Sequence, residues 1–370
     1  MNALASAPSG SSGITLDDTV FQIEMTSTRH FPNFGRQWIA GGSFGNSINV
    51  ACSGNGKYVV TCPNSSSVAI SNNYGVSFPI TYSGITSSGA AALSETGKYM
   101  LITSSSSLQL STDYGASFSY ATLGSAAVAM SSTGKYMVTT YVSSPAKIYV
   151  SSNYGSSWTQ VASGDISGTY PSSATYASAA MSRDGATMYI NVDTYLYKST
   201  NNGVSWNRIY TGASNSNHVS CSGDGKYVIL CPPQSTSRDI YFSSDGGSTF
   251  NTAGTGSSRA YYRSAISTCG RYMMLVVNTG YIYVSTDYGT TWTQAGASTN
   301  YYGAAMSQNG DYMYAHVPGS LYICNNLTVP TLPVSQPGYP GRGSMYYDES
   351  TNKLYVYNST SSAWKSVTLA

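Results

Sequence analysis

Charge is scarce in this chain of 370 residues: 17 Lys and Arg against 15 Asp and Glu, about a third of the usual share. Disorder on the scale of the chain is excluded, because disordered segments pair high charge with few aromatics and this sequence carries 34 Tyr, 8 Phe and 5 Trp. No run approaches 18 apolar residues, so no membrane span is expected. The net charge is +2 with no basic cluster, so a nucleic-acid footprint is not expected. The 37 Gly fall far below the one in three that collagen needs. The opening MNALASAPSGSSG has neither a basic nor an apolar region and does not read as a signal peptide. Residues 1–30 are read as an N-terminal arm.

Histidine and cysteine are equally sparing. His30, His218 and His316 lack ligand spacing, and no Gly-rich loop opens a helix, so neither metal nor cofactor is expected. The six cysteines are Cys52, Cys62, Cys221, Cys231, Cys269 and Cys324. Cys52/Cys62 and Cys221/Cys231 each bracket a hairpin. A tight turn at the Gly would place Cys52 opposite about Lys57, leaving Cys62 too far along its strand for a bridge. Buried free thiols, as in a reducing compartment, are the expectation.

Repetition is abundant. A motif of small or apolar residue, Ser, two polar residues, Gly, Lys and Tyr occurs as CSGNGKYV (52–59), LSETGKYM (93–100), MSSTGKYM (130–137), MSRDGATMY (181–189), CSGDGKYV (221–228), ISTCGRYM (266–273) and MSQNGDYM (306–313). Its glycines are spaced by 41, 37, 51, 40, 45 and 40 residues, giving seven copies. A second motif alternates with it: SNNYGVSF (71–78), STDYGASF (111–118), SSNYGSSW (151–158), STNNGVSW (199–206), SSDGGSTF (243–250) and STDYGTTW (285–292). Asn73, Asp113, Asn153, Asn201, Asp245 and Asp287 can each accept backbone N–H bonds across a turn. The Gly two residues on supplies positive φ, and the closing aromatic can pack between sheets. Short β-rich runs surround each copy, four to a repeat.

The second motif resembles the Asp-box, or BNR, repeat of sialidase- and sortilin-like β-propellers, over residues 31–327. The resemblance implies an all-β, seven-bladed propeller of four-stranded blades, with the boxes as structural turns on the rim away from the functional face. The seventh repeat has no box after SLYICNN (320–326), whereas NFGRQWIAGG (33–42) matches the last half of one. Residues about 36–42 are therefore expected to supply the outer strand of the last blade and close the ring.

Beyond the repeats, TVPTLPVSQPGYPGRG reads as a Pro-rich linker (328–343). MYYD, KLYVYN and AWKSVTL then form a small β-meander within 344–370. SMYYDESTNKLYVYN followed by AW resembles short β-elements of phage and large-virus structural proteins.

The sialidase resemblance would imply an arginine triad, a Tyr–Glu nucleophile pair and an acid/base Asp. The Arg-Ile-Pro signature is absent, and Glu24, Glu95 and Glu349 lie near chain ends or in a turn. Asp165, Asp193 and Asp239 are the acids outside the turns, without a supporting motif. The loops opposite the boxes instead gather Tyr170, Tyr176, His218, Arg238, Arg259, Tyr261, Tyr262, Arg263, Tyr301 and Tyr302. Tyr and Arg suit recognition surfaces, and Tyr faces can stack on sugars. The expected function is thus a non-enzymatic structural or attachment protein, a virus-particle component assembled in the host cytoplasm. Its termini would contact other virion or capsid proteins, and its loop face a glycan or receptor. The alternatives are a glycan-processing hydrolase and a cytoplasmic assembly scaffold.

Overall fold

The computed structural model describes residues 34–326 apart from 45–46, 64–66, 84, 86–88, 105–106, 122, 124–125, 143–145, 168–170, 172–176, 212–217, 232–238 and 254–258, together with the backbone of 345–348, 353–358 and 363–368. The N-terminal arm and the Pro-rich linker lie outside the described residues. No described helix is long and apolar enough to cross a membrane.

Seven antiparallel sheets follow one another around a ring, each beginning at one copy of the first motif. Blade 1 runs Ser47–Cys52, Val59–Pro63, Val68–Ser71, Ile80–Tyr82; blade 2 Ala91–Leu93, Met100–Thr103, Leu108–Ser111, Ser119–Ala121; blade 3 Ala127–Met130, Met137–Tyr141, Lys147–Ser151, Thr159–Gln160. Blade 4 runs Ala177–Met181, Met188–Val192, Tyr195–Ser199, Trp206–Thr211; blade 5 His218–Cys221, Val228–Cys231, Ile240–Ser243, Asn251–Ala253; blade 6 Tyr261–Ile266, Met273–Val277, Gly280–Ser285, Thr293–Thr299. Blade 7 takes Gly303–Met306, Tyr312–Val317 and Ser320–Asn325 from the end of the repeats and Ile39–Ser43 from the beginning. The protein is a seven-bladed β-propeller whose first strands neighbour one another around its axis. The C-terminal meander is present as Met345–Asp348, Lys353–Asn358 and Ala363–Thr368, paired in order in a separate sheet.

Two expectations change in detail. The 51-residue repeat spacing has a structural origin: Ser163–Asp165 forms a 3-10 turn, and Ile166–Ser167 pairs in parallel with Trp206–Asn207 as a fifth strand on blade 4. Blade 4 thus carries a fifth strand beyond the four expected of each blade. The cysteines are all free, and the ladders place Cys52 opposite Val59 and Cys62 opposite Asn49. Cys269, however, is exposed rather than buried.

The Ser-x-Asx-x-Gly turns join third to fourth strands. In blade 4 the Ser199 hydroxyl accepts the Gly203 N–H (3.0 Å) and donates to Asn201 Oδ1 (2.9 Å), which also accepts the Ser205 N–H (3.0 Å). The Asn turns donate an amide proton to the hydroxyl four residues on. In the Asp turns that polarity reverses: Ser117, Thr249 and Thr291 donate to the second carboxylate oxygen of Asp113, Asp245 and Asp287 at 2.6 Å. The Ser117 bonds hold the Asp113 carboxyl below the usual range, and those of Thr249 take Asp245 down to about 2. At Asp287 burial alone would raise it, and the bonds from Thr291 and Ser285 together lower it. A carboxyl depressed in the folded state stabilises above its unfolded pKa and stops doing so as pH falls through the folded one. Thermal stability should therefore decline between about pH 4 and about pH 2. The triple variant D113N/D245N/D287N should flatten that decline and stay folded, because Asn already serves at 73, 153 and 201. An undiminished decline in its acid melting curve would contradict this role.

The core lies between blades. Val60, Val68 and Ile70 of blade 1 pack with Met100 and Ile102 of blade 2, and Val50 and Val59 with Tyr314, Leu321 and Ile323 of blade 7. The Gly-Lys-Tyr element belongs to these interfaces. Tyr58, Tyr99 and Tyr136 cover the turn glycine of the next blade. A Cβ on Gly97 would lie 2.5 Å from Tyr58 Cδ2, and one on Gly270 2.2 Å from Tyr227 Cδ2. The same Tyr meets the tyrosine of the next blade's Ser-x-Asx turn, as Tyr58 with Tyr114 (5.4 Å) and Tyr227 with Tyr288 (5.3 Å). Those turn tyrosines sit at φ of 61 to 64°. Ring contact with the preceding blade offsets the cost of that left-handed backbone.

Closure of blade 7 uses the same turn, assembled from both ends of the ring. Ile39 pairs with Ile323 and Ala40 with Tyr322. Cys324 and Asn326 stand where Ser and Asx stand elsewhere, and Gly35 (φ 71°) stands for the turn glycine. Asn326 Oδ1 accepts the Gly35 N–H (2.9 Å), and Trp38 Nε1 donates to Gly35 O (2.7 Å) as Trp206 Nε1 does to Gly203 O (2.9 Å). A half-turn after the seventh third strand, absent from the sequence reading, is thus present. Asn326 also heads the sequon Asn-Leu-Thr, but at 3% exposure its amide is inaccessible to glycosylation in the folded ring.

Candidate ligand site in the central channel

The seven first strands enclose a cavity of about 620 Å³ on the propeller axis. Aligning the repeats on the motif serine resolves its wall into tiers. The residue just before the serine is Cys52, Leu93, Met130, Met181, Cys221, Ile266 or Met306, an apolar ring at the hairpin end, with every member partly exposed and lining the cavity. Two residues before the serine stands Ala in six blades and Ser220 in blade 5. Short side chains suit this position because seven strands converge there.

Just beyond the apolar ring the backbone closes a circuit. The residue after the motif serine donates its N–H to its counterpart in the next blade: Glu95 to Ser132 (2.7 Å), Ser132 to Arg183 (2.9 Å), Arg183 to Gly223 (2.7 Å), Gly223 to Thr268 (2.9 Å) and Thr268 to Gln308 (2.7 Å). Gln308 to Gly54 (2.7 Å) and Asn55 to Glu95 (3.1 Å) complete it. The Arg183 guanidinium spans blade 3 to reach both Glu95 carboxylate oxygens, at 2.9 and 2.8 Å.

The other end is polar on one side. Four residues before the serine the seven blades carry Asn49, Ala90, Ala127, Ser178, His218, Arg263 and Gly303. His218 and Arg263 are thus equivalent positions of adjacent blades. The Ser264 N–H donates to His218 Nδ1 (3.3 Å), and the Ser264 hydroxyl lies 3.2 Å from the same nitrogen and 2.7 Å from the Ser220 hydroxyl. With Nδ1 an acceptor, the ring proton is assigned to Nε2. Burial, and then the Arg263 charge, hold His218 well below its ordinary pKa, so it is neutral at pH 7. The Arg263 guanidinium lies 5.5 Å from the centroid of the Tyr262 ring. Burial lowers its pKa, yet guanidinium stays protonated.

The residues expected to form a recognition face therefore separate. Tyr170, Tyr176 and Arg238 lie outside the described residues. Tyr261 and Tyr301 are fully enclosed, and Tyr262 is 8% exposed. Tyr301 turns its hydroxyl to Ala297 O (2.8 Å), and Tyr262 meets the half-buried Tyr302 edge-on (5.4 Å). Tyr261 and Tyr301 therefore belong to the walls of blades 6 and 7, a correction to their reading as contact surface, whereas Tyr262, though largely buried, lines the channel. Arg259 is half-buried, its guanidinium 5.2 Å from the Tyr283 ring centroid. His218 and Arg263 line the channel beside Tyr262. Asp165 is exposed, Asp193 occupies a turn at φ 49°, and Asp239 is half-buried; none lines the channel. The six Asx residues occupy turns. His218 and Arg263 are among the candidates, but their common tier shows only when the copies are aligned: they stand where the other blades carry Asn, Ala, Ser or Gly.

No family model and no curated protein sequence matches the chain. Solved structures do. YCF48 bound to a D1 peptide aligns at TM-score 0.56 and 12% identity, over 78% of this chain and 94% of its own. YCF48 from Cyanidioschyzon merolae gives 0.59 and 12%, over 79% and 99%. Hydrazine synthase of Kuenenia stuttgartiensis gives 0.58 and 12%, over 76% and 95%. At such identity the likeness establishes the propeller fold.

Proposed function

We propose that this chain is a non-enzymatic interaction protein, a structural or attachment component of a virus particle. On this reading the propeller is the displayed body and the C-terminal β-element the anchor. The observation that carries it is that element: three strands pair with one another in a sheet separate from the seven blades, whose fourth places are already filled. A β-element this small has little core of its own and gains most by docking on another surface. The resemblance of its sequence to virus structural elements supplies the setting. A neighbouring fold that binds a peptide, YCF48, supports a protein partner. The same reading takes the Ser-x-Asx-x-Gly turns as Asp-box repeats with a structural role.

Removing residues 328–370 should leave the melting transition of the propeller in place and abolish incorporation into particles. Normal incorporation of the truncated chain, measured by immunoblotting of purified particles, would overturn the anchoring role.

A further inference from the structure

We propose that the polar tier of the central channel is a carboxylate site, taking an anion carried on a short apolar group. The proposal deepens the reading of the protein as a binding protein by naming the chemistry bound.

Charge complementarity sets the sign. Arg263 is the single charged side chain among the described residues lining the cavity, and no Asp or Glu lines it. Its guanidinium is held over the Tyr262 ring, so its orientation is set before a ligand arrives. The planar donor fork matches a carboxylate. His218, at the equivalent position of the adjacent blade, adds a second donor. Its Nδ1 is occupied by the Ser264 N–H, which leaves Nε2–H to give. A cation and a neutral donor in adjacent blades recognise an anion that accepts from both.

The rest of the cavity selects what the anion is attached to. Beyond the polar tier come the alanines and then the ring of Cys, Leu, Met and Ile, which offer dispersion contacts. The volume of about 620 Å³ accommodates a short aliphatic group. Two sources present this chemistry: the C-terminal carboxylate of a polypeptide ending in a small apolar residue, and a free short-chain carboxylic acid.

The test titrates the full chain, by calorimetry, with N-acetyl-Ala-Ala-Val as the free acid, with its C-terminal amide, and with butanoate. The free-acid peptide or butanoate should bind, the peptide acid at least about tenfold more tightly than its amide if a chain terminus is the source. Binding of butanoate alone would assign the site to small acids. R263Q should weaken the bound acid by about tenfold or more and R263K by less, with unchanged melting as the folding control. The acid–amide comparison needs no variant, so it stands if R263Q does not fold. Equal binding of acid and amide without butanoate binding, no binding of either acid, or undiminished binding by folded R263Q would overturn the proposal. R263Q incorporated normally into particles while failing to bind acids would leave the assembly role intact; loss of particle incorporation by the C-terminal truncation bears on that role alone.

Discussion

Asn326→Leu is expected to destabilise the folded ring by about 2–5 kcal/mol and to loosen its closing strand. Asn326 is the point where the two ends of the propeller are joined without a covalent link. Its Oδ1 accepts the Gly35 N–H (2.9 Å) and the Cys324 thiol (3.3 Å), its Nδ2 donates to Gly310 O (2.8 Å), and its own N–H reaches Asp311 O (2.7 Å). Leucine has similar volume but strands a buried N–H and a buried carbonyl, each costing about 1–3 kcal/mol. Asn201→Leu in blade 4 removes the exposed bonds to Ser205 from a turn whose two halves are continuous, so loosening should be smaller there. The check is a urea melt combined with limited proteolysis of residues 34–43. A loss below about 1 kcal/mol, or equal protection of 34–43 in N326L and wild type, would contradict the closure role.

Gly270→Ala is expected to cost about 2–5 kcal/mol. The backbone at Gly270 has φ of 77°, and an added Cβ would stand 2.2 Å from Tyr227 Cδ2 and 2.7 Å from Cε2. The left-handed backbone alone costs an L-residue about 1–2 kcal/mol. The clash is not easily relieved, because Tyr227 is held by Tyr288 at 5.3 Å and by the Lys226 ammonium at 5.3 Å. Gly164→Ala, where nothing lies within 4 Å, serves as the control and should be near neutral. If the blade contact is the cause, Tyr227→Ala should cost less in the G270A background than in the wild type. Additive effects would assign the cost to the backbone alone.

These two positions mark what the sequence reveals and what it hides. Seven copies of Ser-x-x-Gly, four of them continuing Lys-Tyr, predict seven blades, because each copy is a local hairpin signal. Why Gly is followed by Tyr is not local: Tyr58 is needed by Gly97 of the next blade, and Tyr99 by Gly134. Asn326 escapes notice because its turn partner Gly35 lies 291 residues away in the chain. The two-residue strand Ile166–Ser167 has no alternation long enough to read. The channel site was half visible. His218 and Arg263 stood among the candidates, but grouped with Tyr261 and Tyr301, which prove to be walls. Composition cannot separate the two uses of tyrosine, since an enclosed Tyr261 and a half-buried Tyr302 occur in equivalent β-rich runs. Register relative to the motif serine separates them.

The most direct measurement is quantitative mass spectrometry of purified particles against the soluble fraction of the producing cells. Enrichment of this chain in the particles, at constant stoichiometry to the major structural protein, is the expected result. Recovery in the soluble fraction alone would contradict a role in the particle.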